Sequence, residues 1–114
     1  MIKKYNIYLY KDNKLEKSYK NIKGINKEKE ISLILDEIKT IIKENELIRE
    51  NNEFKFNIDL IAKTSNYLLK QTNIIYDIEV IDANIIKKEK EIIIKYRIET
   101  NEEEIQIRII ESTW

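Results

Sequence analysis

The sequence predicts an α+β fold in which one long amphipathic helix packs against a curved antiparallel sheet of about five to six strands. Two observations support this prediction. Isoleucine and leucine recur three and four residues apart between Glu28 and Glu50, and apolar residues alternate with polar ones before and after that segment. The first spacing is typical of a helix with one apolar stripe, and the second is typical of half-buried strands. The predicted order is β-β-α-β-β-β-β.

Residues 3–10 and 15–22 are predicted to form a hairpin. A three-residue loop, Lys11–Asn13, would set Leu9 opposite Leu15. Because a two-residue loop would divide the apolar residues between the two faces, the pattern favours the longer loop. The expected apolar face then contains Tyr5, Ile7, Leu9, Leu15 and Tyr19.

The predicted helix runs from Glu28 to about Glu50, with Asn26 as its N-cap. Glutamates in its first turn suit the helix dipole, and Asn51 ends it. Leu33 and Leu47 fall outside the apolar stripe, which contains Ile31, Ile34, Leu35, Ile38, Ile41, Ile42 and Ile48.

The second half of the chain is predicted to be strands. Residues 54–62 alternate as a half-buried strand, residues 63–73 fit a short helix, a turn or an edge strand equally well, and a three-strand meander follows. Polar connections at Asn84–Lys90 and Thr100–Glu103 would join the strands of the meander. Its inward residues are expected to be Ile74, Tyr76, Ile78, Val80, Ile92, Ile94, Tyr96, Ile98, Ile105, Ile107 and Ile109.

Composition indicates one domain, residues 1–114, without catalytic machinery. The chain has no cysteine, no histidine and one glycine. These absences exclude thiol nucleophiles, the commonest general base and the glycine-rich loops that bind phosphate. Four serines occur, but no Ser-x-x-Lys sequence, so we expect a protein that is not an enzyme and holds no metal or cofactor.

The residue bias indicates an AT-rich genome, such as that of a low-GC bacterium or its phage. Isoleucine occurs 26 times, and 18 lysines stand beside three arginines. The formal net charge is zero, and no apolar run approaches the length of a membrane span. We therefore expect a cytoplasmic protein with no membrane partner, and no global attraction to nucleic acid.

The candidate partner-binding site lies in the N-terminal hairpin. Residues 1–27 contain eight lysines against Asp12 and Glu16. Basic residues interleaved with tyrosine suit an acidic protein surface, or phosphates and stacked bases. The outer face of the hairpin is expected to present Lys4, Tyr8, Tyr10, Lys14 and Lys20.

Three functions fit these observations. The chosen hypothesis is a small protein-binding protein, namely a stoichiometric inhibitor or adaptor from a phage or mobile element, of the anti-defence (for example anti-CRISPR-like) or immunity type. The first alternative is a nucleic-acid-binding module that uses the basic hairpin face. The second is a small-molecule or lipid carrier, or hydrolase, with a helix–sheet pocket lined by Tyr76, Tyr96, Asp36 and Glu37.

Isoleucine also falls on the second face of several predicted strands, for example Ile75 and Ile81. Uncovered, these residues would leave apolar surface exposed, and a homodimer is one arrangement that would bury it.

Overall fold

A computed structural model describes residues 1–112, with the backbone alone at residues 101 and 102. The described residues form ten strands and no helix. Each strand pairs antiparallel with the next, and β1 also pairs with β10, which closes the sheet into a barrel. The strands are β1 (Ile2–Lys11), β2 (Lys14–Lys27), β3 (Glu30–Leu35), β4 (Ile38–Ile42), β5 (Glu46–Glu50), β6 (Phe54–Asp59), β7 (Thr64–Leu69), β8 (Ile74–Lys87), β9 (Glu91–Ile98) and β10 (Asn101–Glu111).

The predicted helix over Glu28–Glu50, and with it the α+β fold class, is wrong. Strands β3, β4 and β5 occupy this segment. The chain reverses at Asp36 and Glu37, which both adopt positive φ (52° and 65°), and Leu35 pairs with Ile38 across the turn. Such two-residue turns match the twist of the flanking strands. Because this turn contains neither glycine nor asparagine, the sequence offers little sign of it.

The apolar spacing that suggests a helix is the sum of three strand patterns, from β3, β4 and β5, separated by two turns. Leu33 and Leu47, which fall outside the helical stripe, are 3% and 0% exposed in the barrel core. Ile34, which belongs to the stripe, is 64% exposed on the outer surface. Isoleucine is β-branched and packs better on a pleated surface than in a helix, so local preference agrees with the strands.

The N-terminal hairpin is confirmed, but its predicted register is wrong. The turn contains only Asp12 and Asn13, both at positive φ, and Tyr10 pairs with Leu15. Bulges in the ladder then restore the apolar face, so that Ile7 pairs with Tyr19. Leu15 points outward and is 55% exposed. Bulges of this kind allow a short turn and an inward apolar face to coexist.

The remaining strand predictions are confirmed with shifted ends. Residues 54–59 form β6, and the ambiguous segment 63–73 contains β7 followed by a turn. The predicted connection Asn84–Lys90 shortens because β8 continues to Lys87. Strands β8, β9 and β10 form the expected meander, with Ile94 and Ile107 opposite each other on its inner face.

Two long strands bend from one half of the barrel to the other. Strand β2 pairs with β1 along most of its length, but with β3 only over Ile25–Lys27. Strand β8 pairs with β7 over Ile74–Glu79 and with β9 from Val80 onwards. The register shift at Val80 marks the bend. Consequently, both parts of β8 and most of β2 have a strand partner on one side only among the described residues.

The middle of the barrel is filled by apolar side chains. Ile7, Leu47, Ile58 and Ile94 are each at most 1% exposed. Burying such a side chain contributes about 1.5–3 kcal/mol. Because these residues occupy the centre, the interior is divided into two cavities, one at each end of the barrel.

Candidate functional site

The outer face of the N-terminal hairpin brings together some of the expected partner-binding residues. The Lys20 ammonium donates a hydrogen bond to the hydroxyl of Tyr8 and lies 4.5 Å from the centre of its ring. Tyr10 lies on the same face of β1. Lys4 and Lys14 lie towards opposite ends of the hairpin, where Lys4 pairs with Lys23. Lys14 pairs with Lys11, which shares the inner face of β1 with Ile7, so the five expected residues do not all lie on the outer face.

Strand β10 adds a residue to this face that sequence reasoning missed. Arg108 pairs directly with Tyr8 on β1, and its guanidinium contacts the carboxylate of Glu91 on β9. Hydrogen bonding to Glu91, together with a smaller contribution from Tyr10, raises the pKa of Arg108. Only the closure of β10 onto β1 places Arg108 there, and no local spacing in the sequence indicates it.

The end of the barrel that carries the β1–β2 turn contains an aromatic cavity of about 340 Å³. The ring of Phe54 stacks on that of Tyr67 with centroids 5.4 Å apart, and the rings of Phe56 and Tyr96 are 6.1 Å apart. Strand pairing aligns Phe56 with Tyr67, so these rings meet inside the barrel. The lining residues are Arg49, Phe54, Phe56, Tyr67, Ile78, Tyr96, Ile98, Thr100 and Ile105.

Arg49 is the cation of the aromatic cavity. It lies on β5 between Thr40 and Phe56 in the register, and its Nε donates a hydrogen bond to the Thr40 hydroxyl over 3.3 Å. It forms no ion pair with any residue in the described part of the chain. The pKa of Tyr96 is raised overall because burial disfavours the charged phenolate, and the nearby positive charge of Arg49 offsets part of this effect. Neither Tyr67 nor Tyr96 forms a side-chain hydrogen bond within residues 1–112.

A polar cluster lies outside the aromatic cavity on the β3–β4 turn. Asp36 accepts hydrogen bonds from the Tyr19 hydroxyl at 2.5 Å and from the Lys17 ammonium at 3.0 Å. These two donors lower the pKa of Asp36, and Arg49 adds a smaller effect at longer range. The carboxylate of Asp36 is thus already engaged by two residues other than Arg49.

The opposite end of the barrel contains a second cavity of about 360 Å³. Its floor is apolar and includes Tyr5, Ile42 and Ile109, while its rim carries lysines and glutamates in similar number. The Lys87 ammonium reaches the carbonyl oxygen of Lys43 across 3.2 Å, which joins β8 to the β4–β5 turn. Because the positive and negative side chains of the rim are similar in number, this cavity has no net charge that would favour an anion over a cation.

The predicted pocket between a helix and a sheet is wrong because the described residues contain no helix, and of its four predicted lining residues only Tyr96 lines a cavity. Tyr96 lines the aromatic cavity, but Tyr76 is about half exposed, and Asp36 and Glu37 form a surface turn. Sequence reasoning missed Arg49 because it fell within the supposed helix. Read as a strand, the alternation of Leu47 and Arg49 would have placed both side chains inside.

Among the described residues, no group of three or more acidic side chains is arranged to hold a metal ion. The same part of the chain contains no helix with the length and apolar character of a membrane span. Comparisons with protein-family models, curated proteins and solved structures find no match to this chain.

Proposed function

We propose that this barrel binds a small amphipathic organic anion in the aromatic cavity and acts as a carrier or sensor of that ligand. The observation that supports the proposal is Arg49, a half-buried guanidinium among aromatic rings with no acidic partner in the described residues. Withdrawing a charge from water without a partner is costly, so an unpaired interior cation favours an anionic ligand.

The chemistry of the cavity suits such a ligand. A guanidinium binds carboxylate or sulfonate oxygens through two parallel hydrogen bonds. The hydroxyl groups of Tyr67 and Tyr96 offer further donors, while the rings of Phe54 and Phe56 accept an apolar body. A volume of about 340 Å³ lies at the lower end of the range for small-molecule sites.

The test uses two fluorescent probes that differ in charge: anilinonaphthalene sulfonate, which is an anion, and its uncharged relative phenylnaphthylamine. Arg49→Met is expected to weaken sulfonate binding about tenfold to a hundredfold, because a hydrogen bond to a charged group contributes about 1.5–3 kcal/mol. Binding of the uncharged probe should change little.

Arg108→Met is the matched control, because Arg108 lies on the outer surface and is paired with Glu91. It should leave the affinity for both probes within about twofold of the unchanged protein. Equal sulfonate binding by the Arg49→Met variant and the unchanged protein would contradict the proposed function.

A second candidate function is the stoichiometric protein-binding inhibitor or adaptor expected from the sequence. It is favoured by the outer face on which Tyr8, Tyr10 and Arg108 lie together, since tyrosine and arginine dominate the binding energy of protein interfaces. The expected effect of Tyr8→Ala combined with Tyr10→Ala is an intact barrel that loses its partner. Pull-down from host lysate, with and without nuclease and high salt, measures this loss.

The same pull-down separates this candidate from the nucleic-acid alternative. A protein retained at high salt supports the adaptor hypothesis. Recovery of nucleic acid that is lost on adding salt would instead assign the face to phosphate contacts, whose affinity falls steeply with ionic strength. A double variant that unfolds would show that the two tyrosines belong to the fold rather than to a binding surface.

A further inference from the structure

In the described part of the chain the bent strands leave several edge segments without a neighbouring strand, and two of these segments differ in chemistry. One belongs to β2 before residue 25, and the other to β8 over residues 74–78. The β8 edge is open because β9 ends at Ile98, opposite Val80. Unpaired edges offer backbone N–H and C=O groups to another strand, and natural proteins usually protect them.

The β2 edge is protected by charge. Lysine recurs every third residue along it, at positions 14, 17, 20 and 23. Lys17 and Tyr19 further anchor it to the β3–β4 turn through Asp36. Another strand that approached this edge would have to bury or displace these ammonium groups, which disfavours pairing.

The β8 edge lacks this protection. Its residues 74–78 read Ile-Ile-Tyr-Asp-Ile, in which Asp77 is the one charged side chain, and residues 71–73 carry no charge. Ile74, Ile75 and Tyr76 are 45%, 65% and 49% exposed, respectively. Strand pairing with β7 places Ile75 on the outer face and Tyr76 on the inner one, so apolar surface is available on both sides of the edge.

We propose that the β8 edge pairs antiparallel with the β8 edge of a second copy of this chain, forming a symmetric dimer. Centred on Ile75, the pairing sets Ile74 opposite Tyr76 of the second copy and Asn73 opposite Asp77. No like charges then face each other, and the amide of Asn73 can donate a hydrogen bond to the carboxylate of Asp77.

Symmetry limits this association to two copies. An isologous contact uses the same edge on both chains, so dimerisation occupies residues 74–78 of both copies and leaves this segment closed to a third. About five residues of edge bury less than the ~1,600 Å² of a standard interface. The dimer is therefore weak, with a dissociation constant in the micromolar range or above.

Sedimentation equilibrium over a concentration series from micromolar to millimolar tests the proposal. The mass is expected to rise from that of one chain to twice that value, without larger species. Ile75→Lys, which places a charge at the centre of the contact, should raise the dissociation constant about tenfold or more.

Ile61→Lys is the matched control, because Ile61 is 62% exposed but lies in the β6–β7 turn rather than on an open edge. It should leave the dissociation constant within about twofold of the unchanged protein. Hydrogen exchange provides a second measurement. The carbonyl oxygen of Glu79 faces β9, so the alternation of the ladder points the amides of Ile75 and Asp77 to the open side, and these two amides should become more protected as concentration rises.

A chain that remains monomeric throughout would overturn the proposal. Growth into larger aggregates would overturn it as well, because a symmetric pairing of two β8 edges ends at the dimer. Equal weakening of the dimer by both lysine substitutions would place the contact elsewhere. Circular dichroism of each variant confirms that the barrel is folded, and probe binding in the aromatic cavity is measured separately.

Discussion

The Nε atom of Arg49 donates its hydrogen bond to the hydroxyl of Thr40, a residue 2% exposed on the neighbouring strand. This contact fixes the base of the guanidinium and leaves its terminal amino groups without a partner among the described residues. Thr40 thus holds the guanidinium in place, but no carboxylate among the described residues neutralises its charge.

Arg49→Met is expected to leave the free energy of unfolding unchanged or to raise it by about 1–2 kcal/mol in the absence of ligand, because replacing an interior charge with an apolar side chain removes a desolvation cost. Chemical denaturation measures this change. Adding anilinonaphthalene sulfonate should stabilise the unchanged protein and not the variant, since only a ligand that binds the native state shifts its stability. A variant several kcal/mol less stable would show that Arg49 is structural.

Gly24→Ala is expected to destabilise the barrel by about 1–3 kcal/mol through overpacking. The added Cβ would lie 2.9 Å from Cε2 of Tyr5 and 3.3 Å from the carbonyl oxygen of Ser32. Tyr5 is buried and its hydroxyl accepts a hydrogen bond from Asn26, so the ring cannot easily move.

A Tyr5→Leu background provides the control for Gly24→Ala. Without the ring, the alanine should cost less than in the unchanged protein, and the difference is the coupling energy of the pair. Equal costs in the two backgrounds would show that the ring does not limit the space at position 24.

Ile58→Ala is expected to lower the free energy of unfolding by about 2–4 kcal/mol. Ile58 is fully buried in the apolar layer that separates the two cavities. Ile34→Ala removes the same atoms from a residue on the outer surface, so it should cost less than about 1 kcal/mol. Denaturant midpoints of the two variants make the comparison, and similar losses would contradict the assignment of the core.

Asp36 provides a pH-dependent contribution to stability. The Tyr19 hydroxyl and the Lys17 ammonium hold its pKa below the ordinary value of 3.8. Because the folded pKa is below the unfolded one, the stabilising contribution is present above pH 3.8 and is lost as the pH falls through the folded value. Tyr19→Phe removes the strongest donor and should raise the pKa of Asp36 in a carboxyl NMR titration.

Tyr8→Phe serves as the control for this titration, because the Tyr8 hydroxyl contacts Lys20 and not Asp36. It should leave the pKa of Asp36 unchanged. If Tyr19→Phe also left it unchanged, the hydrogen bond from Tyr19 would not determine the ionisation of Asp36.

The sequence was informative where strands alternate clearly and misleading over Glu28–Glu50, where three short strands are separated by two closely spaced turns. The period-two pattern predicted β6 and the inner faces of β9 and β10, because apolar residues alternate there without interruption. In β8 the register shift at Val80 turns Ala83 and Ile85 inward, and Ile74 and Tyr76, predicted to be inward, are about half exposed. Between Glu28 and Glu50, two reversals shift the alternation and imitate a helical stripe. Asp36 and Glu37 adopt positive φ with the support of strand pairing on both sides, which local preferences do not indicate.

The candidate site was less predictable because it depends on contacts distant in sequence. Arg49 and Tyr96 belong to strands separated by three others in the chain and meet only across the closed barrel. Arg108 reaches Tyr8 through the β1–β10 pairing. By contrast, Tyr8 and Lys20 belong to one hairpin, and sequence reasoning did place them on the same face.

Closure of the barrel also sets the order in which the chain can fold. The backbone N–H of Glu104 donates to the side chain of Asp12, 92 residues earlier, so the β1–β10 seam forms between segments far apart in the chain. Each hairpin can form locally. Forming the seam instead closes a loop that contains most of the chain, and the entropy lost in closing that loop must be overcome before the contacts of the seam stabilise the fold. Folding is therefore expected to take milliseconds to seconds, and during synthesis the seam can close only after β10, about 90 residues beyond β1, has left the ribosome.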